Sequence, residues 1–140
     1  MTVNLGFRRM VVYGGAVLFL LGEAYDTYWH RQHVSFRPEP PSSLWRIHAG
    51  IWLGALILVV IGAVLLTRPG ARITGAIVGA GGLTSLAGFL GDMALHARGE
   101  SIDFWHDLVW YGFGVVVIGV VRMEALNRHP PARVPAGRTE

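Results

Sequence analysis

Two sets of residues in this chain have the types and spacing of metal-binding side chains. They are Asp26, His30 and His48, and Asp92, His96 and His106. In each set the Asp and the first His are four residues apart, so on a helix they share one face, a turn apart. The second His opens the segment that returns. The 140 residues contain no cysteine, which removes thiolate sites, iron–sulfur clusters and disulfides. A carboxylate and two imidazoles suit copper, zinc or iron, with copper favoured, and the carboxylate also admits manganese. Three protein ligands leave a fourth position open for water, oxygen or a substrate. Haem b is the alternative cofactor, since histidines on facing helices can serve as axial ligands. It would account for the His residues but not for the paired Asp residues. The plainest alternative is that the Asp–His pairs only hydrogen-bond and cap helix ends.

The sets belong to a longer repeat. Gly22-x3-Asp26-x3-His30 precedes His48-x3-Trp52-x-Gly54, and Gly88-x3-Asp92-x3-His96 precedes His106-x3-Trp110-x-Gly112. Trp52 and Trp110 fall one turn beyond the returning His and are candidate site-lining residues. Gly22 and Gly88 fall a turn deeper than each Asp, where a missing side chain lets another helix approach. Glu23 extends the first stripe and has no counterpart, because Phe89 holds that place. It is a candidate proton carrier or a buried carboxyl. His33 reads as a loop residue. Asp103 reads as a helix N-terminal charge, and Asp107 as that or a partner of His106.

The elements that must position these residues are apolar. Hydrophobic residues make up 52% of the chain and charged ones 15%, glycine occurs 19 times, and all twelve basic residues are Arg. The mean hydropathy is +0.44. This excludes a disordered chain and an ordinary water-soluble enzyme. Although the pI is 10.0, the arginines are scattered between apolar runs, which argues against a nucleic-acid partner. Four segments, about 10–30, 44–67, 72–96 and 105–126, each have the roughly 20 residues that span a bilayer as a helix. They predict an all-α integral membrane protein, a four-transmembrane-helix bundle of two repeated hairpins, 1–67 and 68–126. A disordered tail, 127–140, would follow. Pro38, Pro40 and Pro41, Pro69-Gly70 and Arg98-Gly99 mark the loops. Arg8, Arg9, Arg68, Arg72, Arg122, Arg128, Arg133 and Arg138 fall on one side, against four arginines on the other. That bias predicts both termini in the cytoplasm and the His/Asp residues near the outer face of a bacterial plasma membrane.

Asp26-Thr27-Tyr28-Trp29-His30, a Pro/Ser loop and then His48 resemble the D-x-x-W-H … P-S-H copper site in the C subunit of particulate methane and ammonia monooxygenases. The resemblance covers about a quarter of the chain. It implies that Asp26, His30 and His48 are copper ligands. Asp92, His96 and His106 follow the pattern with Leu95 in place of Trp. The function expected is a metal-binding membrane protein, an oxidoreductase or a subunit of one, with partner membrane subunits or a second copy as its associates. A non-catalytic metal carrier and a haem b electron carrier are the rival readings.

Overall fold

The computed structural model describes residues 5–33, 41–100 and 102–128. Five α-helices occupy them: α1 (Leu5–Gln32), α2 (Pro41–Ile47), α3 (Ala49–Leu66), α4 (Arg72–His96) and α5 (Asp103–Arg128). Pro38, Pro40, Ser101 and the tail from 129 lie outside the described residues.

This all-α architecture corrects the expected four spans in two repeated hairpins. Among the described residues, only α3, α4 and α5 are long and apolar enough to cross a membrane. The 28-residue α1 has the length. However, Glu23 and Asp26 near one end and Arg8 and Arg9 near the other dilute its apolar character. The expected second span is broken as well. Pro41 opens the short α2, where its missing N–H is no loss, and the helical path stops at His48 before α3 begins. Nor do the hairpins form separate units, because α3 packs extensively on both α1 and α4, and α4 packs on α5.

The outward surface is that of a membrane protein. Val17, Leu21, Val60, Leu83 and Ile118 are each more than half exposed. A water-soluble monomer rarely presents so much contiguous apolar surface. Inside, Phe19, Ile51, Phe89, Val109 and Phe113 form a core cluster near the His/Asp end, and Val12, Leu58, Ile61, Val78 and Val116 form another towards the arginine end. Phe19 and Phe113 stack with centroids 4.6 Å apart, which ties α1 to α5.

Glycines set the helix spacing. A Cβ built on Gly54 of α3 would lie 2.6 Å from the Phe19 backbone nitrogen of α1. One on Gly50 would lie 2.6 Å from Gly22 Cα, and one on Gly88 of α4 would lie 2.6 Å from the Val109 nitrogen of α5. These are backbone-to-backbone approaches that only glycine permits, the usual means of close packing between membrane helices. The loops also turn on glycine: Gly70 has φ 81° and Gly99 has φ 72°, conformations that glycine adopts without strain.

Gly54→Leu should therefore lower stability by about 1–3 kcal/mol or more through overpacking, read as a reduced thermal midpoint by circular dichroism in detergent. Gly14→Ala, which meets nothing within 4 Å, should leave the midpoint unchanged or slightly raised. An unchanged midpoint in Gly54→Leu would contradict the close crossing of α1 and α3.

Candidate metal centre

The centre is built around a break in the helix. The backbone N–H of His48 reaches the Leu44 carbonyl at only 3.4 Å. The His48 ring supplies the better bond, with Nδ1 donating to the same carbonyl at 2.7 Å. A side chain inserted into the hydrogen-bond ladder is a recognised cause of a helix kink. Here it separates α2 from α3 and leaves His48 as the N-cap of α3, with φ −90° and ψ 9°. Because a carbonyl can only accept, Nδ1 carries the proton, and the ring is turned so that Nε2 points inward.

Nε2 of His48 lies 2.8 Å from Oδ1 of Asp26. His30, one turn after Asp26 on α1, brings its Nε2 to 3.1 Å from the same oxygen. Both contacts are of ion-pair length, and Asp26 Oδ1 is buried with no other hydrogen-bond partner among the described residues. One donor atom from each residue lies within 4.8 Å of the other two. Asp26 and His48 are buried, at 8% and 4% exposed, whereas His30 is half-buried. Donors about 2.0–2.2 Å from a tetrahedral metal would sit roughly 3.3 Å from one another. The observed separations from Oδ1 are shorter by a few tenths of an ångström, so a small outward movement of the donors would accept an ion.

The second set is looser. Asp92 Oδ2 lies 3.9 Å from His96 Nδ1 and 3.6 Å from His106 Nδ1. Asp92 is 7% exposed, and its Oδ1 has no hydrogen-bond partner among the described residues. The two sets nevertheless adjoin. The His96 ring centroid lies 6.0 Å from that of His30 and 6.3 Å from that of His48. A small cavity, with room for about one water molecule, is lined by Glu23, Asp26, His48, Asp92 and His106, with Ile51, Phe89 and Val109 as its apolar walls.

The remaining sequence candidates stand elsewhere. Trp52 donates its indole N–H to the Trp45 carbonyl at 3.3 Å and packs edge-on against the Trp45 ring. Trp110 is exposed and meets Phe19 and Phe113 edge-on. Neither lines the cavity. His33 is exposed and stacks on Trp29, with centroids 4.3 Å apart, while Asp103 and Asp107 are exposed on the first turns of α5. Phe89, which the repeat marked only as the residue opposite Glu23, lies 5.9 Å from the His48 ring. Its type gave no sign of this, although its place in the repeat did. The specific copper and oxidoreductase expectation needs correcting too: the five helices with three spans do not match it, and two imidazoles and a carboxylate do not select one metal.

No protein-family model, curated protein or solved structure matches the chain. What holds from geometry alone is an integral membrane protein with a buried Asp/His cluster able to chelate a metal ion.

Phe89→Ala should lower stability by about 3–5 kcal/mol, the usual cost of emptying a buried aromatic site, while Leu90→Ala on the exposed face should change it little. Thermal melts of the two purified variants check this. Equal midpoints would show that Phe89 does not wall the cluster.

Proposed function

We propose that this chain is a membrane metal-binding protein whose Asp26, His30 and His48 hold one divalent first-row transition metal. The observation that carries this reading is the His48 ring. Metal-binding histidines typically donate their other ring N–H to a backbone carbonyl or a carboxylate, which fixes the tautomer and aims the free nitrogen. His48 donates to Leu44 and presents Nε2 to a buried carboxylate oxygen with no other hydrogen-bond partner among the described residues. A cation placed between them could be held by both donor atoms. The resemblance of the Asp26–His30 segment to a copper-binding motif supports the same three ligands. Zinc and copper are both compatible with this donor set.

The role is holding the ion rather than conducting it. Between the two ends, Val12, Leu58, Ile61, Val78 and Val116 form an apolar cluster, and the nearby buried Ser85 hydroxyl is donated to the Val109 carbonyl at 2.8 Å. An apolar layer of this kind does not favour a permeating ion. Asp92, His96 and His106 adjoin the ion as weaker or exchangeable ligands, and Glu23 is placed to take up a ligand proton. The arginine bias supports a centre near the outer face of a bacterial plasma membrane.

After chelation and reloading with zinc or copper(II), the full chain should retain about one metal ion. Asp26→Asn or His48→Ala should weaken binding by tenfold or more, about the scale on which metal-site substitutions act. Asp92→Asn should cost less, because its contacts are longer. Elemental analysis after gel filtration reads the result, and undiminished loading of Asp26→Asn would overturn the ligand assignment.

Imidazoles must lose a proton to bind metal, so acid competes with the ion. Retention should fall steeply as the buffer is taken from about pH 7.5 to about pH 5.5, across the usual range of imidazole titration. Full retention below about pH 5 would count against imidazole ligation.

A further inference from the structure

The end of the molecule opposite the metal centre carries a second polar feature. Arg8 of α1 is 7% exposed, and its Nε has no hydrogen-bond partner among the described residues. It lines a cavity of about 440 Å³ together with Arg9, Arg68, Leu65, Thr74 and Leu126, among others. Charge is not balanced there. Glu124 is the one described carboxylate at this end, and it is already engaged by Arg9 at 2.7 Å and by the Tyr13 hydroxyl at 2.6 Å. Arg8 and Arg68 make no ion pair among the described residues, and Arg68 Nε is also buried without a partner. A guanidinium withdrawn from water without an acceptor is costly, and its planar fork of donors matches phosphate.

We propose that this pocket binds the phosphate of an anionic phospholipid headgroup. The cavity lies at the ends of the apolar spans α3, α4 and α5, at the depth of a membrane–water interface, where basic pockets between helices take anionic headgroups. Its size lies within the range of small-ligand sites. Leu65 and Leu126 add apolar wall beside the arginines, which suits a lipid and offers nothing to free phosphate. Thr74, 3% exposed, places a hydroxyl on the same lining. The proposal does not depend on the metal centre, which lies about 17 helical residues along α1, or about 26 Å away.

The test is native mass spectrometry of the full chain in detergent, titrated with phosphatidylglycerol, phosphatidylcholine or inorganic phosphate. Phosphatidylglycerol should bind in preference to phosphatidylcholine. Arg68→Gln and Arg8→Gln should each lose about fivefold of that preference, the worth of one arginine near an anionic surface. Arg72→Gln, exposed and outside the lining, should keep it. If Arg8→Gln does not fold, Arg68→Gln alone decides. Equal binding of the two lipids, a preference that survives Arg68→Gln, or occupancy by inorganic phosphate without any lipid preference would each overturn the proposal.

Discussion

One hydrogen bond organises the His/Asp end of this protein. The His48 ring donates to the Leu44 carbonyl at 2.7 Å and stretches that carbonyl's bond with the His48 backbone N–H to 3.4 Å. In doing so it ends α2, starts α3 and fixes which ring nitrogen faces inward. A regular helix through residues 44–67 would carry His48 in a different orientation and would have no reason to settle its tautomer. The local interruption and the aim of the candidate ligand are a single event.

The close glycine crossings make that aim useful. Asp26 and His30 sit on α1, and His48 sits at the head of α3, so they meet only because Gly22 and Gly50 let the two backbones nearly touch. Side chains of ordinary size at those positions would hold the helices at the usual 8–10 Å axial distance or beyond. The carboxylates are then enclosed by Ile51, Phe89 and Val109, which keep water to about one molecule. Burial strengthens every electrostatic interaction there and makes an unpaired charge expensive.

The all-α, membrane-embedded character was legible in composition and in apolar run length. So was the pairing of Asp26 with His30, which follows from helical spacing alone. The break at His48 was not, because a stretch with the hydropathy of a span gives no sign that a side chain will compete with a backbone donor for its carbonyl. The unequal tightness of the two sets was also hidden. The motif reads alike at both, but distances such as 2.8 Å at His48 and 3.6 Å at His106 depend on where the returning helix begins. Residue counts gave α1 enough length to span, but its inward-facing carboxylates leave it the least apolar of the four long helices. Trp52 and Trp110 stood at the right spacing but on the wrong side of their helices, a matter of helix rotation that spacing does not determine. Finally, the arginines were readable as an orientation signal, whereas the burial of Arg8 was visible only after folding.

The contacts between the first and last helices have a consequence for biogenesis. Arg9 and Glu124 are separated by 115 positions, and the Phe19–Phe113 stack spans almost as many. At a synthesis rate of about 5–20 residues per second, α1 waits on the order of ten seconds for α5 to emerge. α3 supplies His48 and Ile51 early in that interval, but Glu23 and Asp26 lack the Phe89, His106 and Val109 side of their enclosure until α4 and α5 follow. The nascent first helix is then the stage most exposed to quality control, and its carboxylates are the reason.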